Sequence, residues 1–472
     1  MAQEKLIQTG AYLLSNFLDS IFNPEWCEAF GTNNEFFCDL PPEIDALAPN
    51  LQTIETQISY FIVEDVPIKK REVNRCDAIK IFANNNSKLD KINKIREEKI
   101  IIHECSHYRD LCVGPLLSRT GKIKKFVIIK KNICMNYHRR RVLRIYACAF
   151  GTQDAYNDWR SLQERLVMSN ARKICKTQEL YFKNMVNAKQ TWFYLIFNKL
   201  QEFLRSEYRK REYNEIISPD MYSLQVWRRY WDTAKLISFE DGARNQLTLK
   251  SKNFPGPCLM FKHRTRSYQE LPIRLAEFTC SQTYLGLRTK GQTHQDNATV
   301  FCQLDQIGEE VKRFIELVVV VYSCFGFKFS FVFLSRNPAS GTVGPIELWD
   351  VTENLFRSTL KDSGYAWEER NEALPLGPSL NCYITDANQK TFLCGSFMCD
   401  YILAPYFDLK YTSPQDTEER PIVLHQTIFS SIERFFTILI EHTCGEWPFW
   451  INPKQLLIIP IAPKWNELIM SP

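Results

Sequence analysis

Near its C-terminal end the chain reads LHQTIFSSIERFF, from Leu424 to Phe436. His425 closes a short apolar run, and Arg434 stands where an apolar segment begins. Ser430 and Glu433 have capping-box spacing, which predicts a helix starting there with Ile432, Phe435, Phe436 and Leu439 on its apolar face. Arg434 would then sit in the first turn, where unpaired backbone N–H groups already favour an anion. An imidazole and a guanidinium so placed are the makings of a metal and phosphate site. A second set of ligand-type residues is HECSH, with His103, Cys105 and His107, followed by Cys112. Side chains alternate along a strand and converge on an ion only if the strand bends, so the favoured reading is an edge strand with unbound side chains.

The elements that must position these groups follow from apolar periodicity. Leu6 to Phe22 reads as a helix, with Leu6, Leu13, Leu14, Phe17, Leu18 and Ile21 on one face. Asn34 to Pro49 is turn-rich. A strand is expected at Ser59–Val63, a helix around Asp77–Ala83, and strands at Ile100–His103 and Phe126–Ile129. Thr191 to Lys210 is the clearest helix, carrying Phe193, Ile196, Phe197, Leu200 and Leu204. With REYNEIISPDMY after it, this stretch through Pro219 is either a dimer-forming unit or an ordinary core helix. Ile315 to Leu334 contains Glu316, Gly326 and Lys328, so it reads as a helix end running into a buried strand, not a membrane span. Leu456 to Ile459 reads as a fully buried strand and Lys464 to Met470 as the start of a helix.

Composition narrows the class without naming a partner. Apolar content of 45% and charged content of 24% are ordinary for a globular protein. A net charge of +5 is too small to announce nucleic acid by itself. Its distribution says more: between Asp110 and Asp154 there is no carboxylate, while ten Lys and Arg residues occur. Lys122, Lys124, Lys125, Arg139, Arg140 and Arg141 are therefore candidate RNA contacts, weighed equally against a solvated basic face. The cysteines follow no repeating framework and MAQEKLIQTG lacks a secretion-signal pattern, so free thiols in the cytoplasm are expected.

Six stretches carry a resemblance: FLRSEYRKREYNEIISPDMY, FPGPCLMFKHRTRSYQELPIRLAEF, FCQLDQIGEEVKRF, VYSCFGFKFSF, GPIELWD and RPIVLHQTIFSSIERFFTILIEHTCGEWPFW. In order and spacing they resemble threonyl-tRNA synthetases of the eukaryotic cytosolic kind, from about Leu6 onward. The resemblance implies an α+β fold: a class II synthetase antiparallel sheet flanked by helices, preceded by an α+β editing-like domain. Residues 1–170 would be the editing-like domain and 171–455 the catalytic-like domain. Residues 456–472 would be the stub of a truncated anticodon-binding domain, with the family's small leading domain absent. It also implies a class II ligase that uses ATP to attach threonine to tRNA, with a zinc ion to read the substrate, working as a dimer.

Carried over position by position, that chemistry is thinned. Of three zinc ligands only His425 remains; the other positions hold Phe254 and Thr299, so zinc is not expected to bind, and Cys258 is expected to point elsewhere. The motif 2 arginine falls among Gln282, Thr283 and Tyr284, and Arg288 or Lys290 would have to replace it. The acid that holds the substrate amino group corresponds to Asn297, after Asp296. Polar pocket positions become Leu376, Ser379, Leu393 and Met398, and a pocket lined by Phe254, Leu376, Leu393 and Met398 is expected to collapse into core. Arg434 is the retained catalytic group, with Gln295 beside it for ATP and Asp296, Asn297 and Ser396 as pocket remnants. The editing histidine pair becomes Gln8 and Tyr12; Cys112 is kept, but its histidine partner is Leu116.

Three readings follow. The first is a catalytically impaired paralogue that keeps its fold, dimerises with itself or with an intact relative, and binds tRNA. The second is an active threonine–tRNA ligase with a remodelled active site. The third is an enzyme with new chemistry around HECSH. The joint loss of arginine, zinc ligands and acid favours the first.

Overall fold

The computed structural model describes residues 2–456 except 23, 25, 32–34, 47–50, 84, 85, 96, 107, 112, 113, 137, 138, 184–189, 193, 227–237, 251–254, 286, 287, 338, 340–342 and 375. The expectations for Phe254, His107, Cys112 and the segment 457–472 lie outside the described residues, as do those for the side chains of Gln282, Thr283, Tyr284, Arg288 and Lys290. The chain forms two compact units, Met1–Glu164 and Arg165–Pro472.

In the first unit, α1 (Ala2–Phe22) lies on a four-stranded antiparallel sheet of β1 (Glu28–Gly31), β2 (Phe36–Leu40), β6 (Lys125–Met135) and β7 (Arg141–Phe150), in the order β1-β2-β7-β6. Leu13, Leu14 and Leu18 bury the apolar stripe of α1 against Phe36, Leu143 and Ile145. The expected strand at Ser59–Val63 is instead the end of α2 (Leu51–Val63). Ile54, Ile58 and Ile62 are its buried residues, and their spacing of four is a helical period. Part of the stretch expected to be turn-rich, Asn34–Pro49, is β2, whose Phe36, Cys38 and Leu40 fill the core. A second sheet has the order β3 (Ile68–Asn74), β4 (Lys99–Cys105), β5 (Tyr108–Asp110), with α3 (Arg75–Ile81) and α4 (Asn86–Lys94) between β3 and β4. His103 and Cys105 therefore lie on a central strand, not the expected edge strand.

The second unit is built on an eight-stranded sheet. Its elements are α5 (Tyr194–Lys210), β8 (Asn214–Glu215), α6 (Pro255–Lys262), β9 (Ile273–Leu285), β10 (Arg288–Cys302), α7 (Ile307–Cys324), β11 (Lys328–Arg336), α8 (Ile346–Ser363), β12 (Trp367–Glu372), β13 (Ser379–Thr385), β14 (Thr391–Asp400), β15 (Ile422–Thr427) and α9 (Ile432–Thr443). The order is β8-β9-β10-β15-β14-β13-β11-β12. The six central strands pair antiparallel, and only the outermost strand at each edge is parallel to its neighbour. The run Ile315–Leu334 is the end of α7 leading into β11, as expected. The helix expected from Thr191 starts at Tyr194, after a short strand at Gln190–Trp192.

One face of this sheet carries the main core, with Ala276, Ala298, Val300, Leu424, Phe397 and Cys399 meeting α5, α7 and α9. The other face carries a smaller cluster, with Leu275, Phe301 and Val423 against Cys258, Phe261 and Leu403. Strand alternation decides which residues can meet at a site beside that cluster. Among the described residues, no helix is long and apolar enough to cross a membrane.

Candidate functional site

Helix α9 starts one residue later than the sequence suggests. Ser431, not Ser430, is the N-cap, and its Oγ accepts from the Arg434 amide at 3.2 Å. Ser430 occupies a positive φ of 61°, its amide donating to Thr427 Oγ1 at 3.0 Å. Glu433 is engaged by the neighbouring strand: it accepts from the His294 amide at 2.9 Å and faces His294 Nδ1 at 2.7 Å. Burial pushes the Glu433 carboxyl up, but the two His294 contacts outweigh it and hold the group below its usual range. An isolated bridge between Gln295 and Ser431 sets the start of α9 beside β10. Gln295 therefore lies beside Ser431, three residues before Arg434, whose Nη1 donates to the Leu393 carbonyl of β14 at 3.1 Å.

Register brings the expected metal positions together. Thr299 pairs with His425, and His425 pairs on its other side with Met398. Thr299 Oγ1 stands 3.4 Å from His425 Nδ1, and Asp400 Oδ2 stands 3.5 Å from His425 Nε2. Burial raises the Asp400 carboxyl, yet the His425 contact and the amides of Leu403 and Ile402, each donating at 2.9 Å, hold it below the ordinary carboxylate range. The imidazole is thereby flanked by a hydroxyl and a carboxylate. Cys258 is fully buried on the same side of the sheet, where burial pushes its thiol far up toward the neutral form. Among the described residues, no three His, Cys, Asp or Glu side chains are grouped to hold a metal ion.

The two adjacent acid positions part company. Asn297 shares the His425 face with Gln295 and Thr299, whereas Asp296 points into the main core with Ala298 and Val300. Asp296 is therefore not a pocket remnant. It is wholly buried and accepts from the amides of Ile428 and Phe429 at 2.5 and 2.8 Å, and from Thr427 Oγ1 and Tyr208 OH, both at 3.2 Å. Its task is to hold the turn between β15 and α9, the turn that aims Arg434. Burial outweighs those bonds and lifts its pKa to about 7.

Sequence reasoning missed the group opposite Asn297. Its cross-strand partner Glu277 accepts at Oε1 from Lys250 Nζ at 2.8 Å and from the amide and hydroxyl of Ser218, both at 2.7 Å. Lys250 and Glu277 side chains are 1% and 3% exposed, so this is a buried ion pair. Glu277 Oε2 and Asn297 Nδ2 are both buried with no hydrogen-bond partner among the described residues. Only the run AEF, embedded in one of the recognised stretches, could have flagged Glu277. Ser396 lies on β14 opposite Thr427. Leu376, Leu393 and Met398 are half-buried and join none of the hydrophobic clusters of the described residues, so the expected collapse into core is not what the fold does with them.

Residues 237–443 match the family described as tRNA synthetase class II core domain (G, H, P, S and T). Across 99% of its length the chain is 31% identical to "Threonine--tRNA ligase 1, cytoplasmic" of Rattus norvegicus, and it covers 70% of that relative. The chain belongs to the threonyl-tRNA synthetase family. "Threonine--tRNA ligase 2, cytoplasmic" of Homo sapiens is 32% identical over the whole chain, which spans 61% of that relative's length. A crystal structure titled as the RNA binding domain of threonyl-tRNA synthetase from Cryptosporidium parvum Iowa II aligns at 30% identity with a TM-score of 0.56, covering 60% of this chain and 74% of that one. As a member of the threonyl-tRNA synthetase family, the chain has the class II α+β core that its six stretches implied.

In the first unit, Gln8 and Tyr12 line a cavity of about 280 Å³ together with Ser15, Cys27, Lys88 and Asp110. Tyr12 OH donates to the His103 carbonyl at 3.1 Å. Leu116 packs against the core. The charged heart of the cavity is Lys88, which sits 3.0 Å from Asp19 and 3.4 Å from Asp110. No motif had singled out this ammonium. In HECSH, Cys105 is buried and its thiol is pushed up to about 11, while Glu104 faces Arg71 and Arg109.

The basic stretch is largely the β6–β7 hairpin. Arg144 is committed to Asp39 by two bonds of 2.7 and 2.9 Å, and Lys131 to Asp45 at 2.7 Å. Lys122, Lys124, Arg139, Arg140 and Arg141 have no carboxylate partner among the described residues, and Lys125 lies over the Tyr156 ring.

Proposed function

We propose that the chain is a catalytically impaired member of the threonyl-tRNA synthetase family that retains fold, dimerisation and tRNA binding. The observation that carries this reading is the Thr299–His425 pair. Where the family sets a second imidazole toward zinc, a neutral hydroxyl stands 3.4 Å from the surviving histidine. Around it the donors are His425, Thr299 and an Asp400 already bonded by two amides. That set does not fit zinc, whose catalytic sites use three ligands drawn from Cys, His, Asp and Glu, because a threonine hydroxyl is not among them. Asn297 cannot supply the charge-assisted bond of an acid to an amino group. Residues 1–170 serve in this reading as a degenerate editing-like domain and 171–455 as the catalytic-like domain, in the cytoplasm.

ATP–pyrophosphate exchange with threonine tests it, because activation is measured apart from tRNA. No exchange above background is expected; exchange at the rate of an intact relative would overturn the reading. The second reading, an active ligase with a remodelled site, is favoured by the bridge of Gln295 to the N-cap of the helix that carries Arg434 and by the half-buried Leu376, Leu393 and Met398. Dimerisation draws support from IISPDM, where Ile217 is 96% and Met221 53% exposed. Light scattering of the eluted chain checks it, and a clean monomer refutes it. For tRNA, the carboxylate-free lysines and arginines of the β6–β7 hairpin are the supporting feature.

A further inference from the structure

The cavity in the first unit contains a group that none of the synthetase chemistry uses. Cys27 precedes β1 and Cys38 lies in β2, and the hairpin pairing of Ala29 with Cys38 sets the two thiols side by side. Their sulfur atoms are 3.1 Å apart. A disulfide requires about 2.05 Å, so closure needs a movement of about 1 Å. Cys27 lines the 280 Å³ cavity, whereas Cys38 is 0% exposed behind it. Ser15 Oγ is 3.6 Å from Cys27 Sγ. Lys88, held between Asp19 and Asp110, lines the same cavity.

We infer that Cys27 and Cys38 form a hydroperoxide-driven disulfide site, with Cys27 as the attacking thiol and Cys38 as the resolving one. Cys27 opens on the cavity, with Lys88 among its lining residues and Ser15 Oγ in contact with the sulfur, so it is the thiol of the pair that a small polar oxidant reaches first. Lys88 lies close enough to register the charge of Cys27. The cavity is several times the volume of a water molecule, so it admits a small hydroperoxide. Cys27 sulfur attacks one peroxide oxygen, the O–O bond breaks, and the departing oxygen leaves as water or alcohol after taking a proton. Cys27 is then a sulfenic acid. Cys38 sulfur attacks Cys27 sulfur, the S–O bond breaks, and water departs with the Cys38 proton. Two thiols lose two electrons in total and the peroxide gains them. Burial keeps Cys38 protonated well above the ordinary thiol range, so it holds that proton until the second step and is itself a poor first target.

The test treats the full native chain with hydrogen peroxide, blocks free thiols, digests it and identifies peptides by mass. A Cys27–Cys38 peptide lighter by two hydrogens is expected, at least tenfold over any other Cys27 bridge, and reversed by dithiothreitol. In Cys38→Ser, dimedone should trap Cys27 as the sulfenic acid; in Cys27→Ser, Cys38 should stay reduced. Oxidation of the exposed Cys76 and Cys324 with Cys27 untouched would overturn the assignment. So would a bridge from Cys27 to Cys112, or dimedone labelling of Cys38 in Cys27→Ser.

Discussion

Asp296 and Asn297 are neighbours in sequence, yet they belong to opposite faces of one sheet. On the core face two buried charges are answered: Asp296 by four donors, Arg274 by Glu310 at 2.6 Å. On the site face a hydroxyl stands beside the lone imidazole, and Glu277 Oε2 and Asn297 Nδ2 lack partners among the described residues. The difference teaches which interactions a fold can relinquish. Loss of a ligand-binding group removes activity and costs little stability, whereas loss of a buried partner leaves an uncompensated charge.

The comparison breaks first, if it breaks, at the buried Lys250–Glu277 ion pair on the site face. Lys250→Met should destabilise the chain by about 3–5 kcal/mol in urea unfolding, because the Glu277 carboxylate stays buried without its cation. The paired change Lys250→Met with Glu277→Leu should recover most of that loss. Next in size is Asp296→Ala, expected to cost about 2–4 kcal/mol by stranding the amides of Ile428 and Phe429. Asp296 also sharpens the contrast through pH. Its folded pKa of about 7 lies above the 3.8 of an ordinary aspartate, so the folded state holds the proton more tightly. Stability from this group is complete below pH 3.8 and declines as pH rises to about 7. Asp296→Asn should flatten that slope in unfolding curves collected across the window.

Smaller effects belong to the site face. Thr299→His enlarges a side chain that is 4% exposed and should cost about 1–3 kcal/mol, and the double variant Phe254→Cys with Thr299→His restores the cysteine and histidine that the resemblance implies. The same double variant should take up one zinc per chain by elemental analysis, where the native chain takes up none. Smallest are single changes such as Lys122→Ala and Arg140→Ala. Each should lower the slope of log affinity for tRNA against log salt by about 1 in magnitude, and an unchanged slope would remove that residue from the RNA surface.

Much of the frame was readable from residue types alone. The α1 stripe, the α7–β11 junction and the strand at Ile100–His103 follow from local periodicity, which needs no distant partner. Family membership was readable as well, since six long stretches kept order and spacing. Errors came where a local pattern was ambiguous: SYFIV suits a strand by composition, yet Ile54, Ile58 and Ile62 complete a helical face only when the preceding turn is counted. Ser430 and Ser431 compete for one cap, and the contact of Glu433 with His294 on a separate strand settles which is used.

What the sequence determined by itself is the set of available groups: His425, Thr299, Asn297, Arg434, and cysteines at 27 and 38. Only the tertiary structure decided that Asp296 serves the core, that Thr299 meets His425, that Lys250 answers Glu277, and that Cys27 touches Cys38. The physical reason is register. Side chains alternate along every strand, so the face a residue occupies and the partner it meets depend on how distant strands pair, and a shift of one residue would exchange them all.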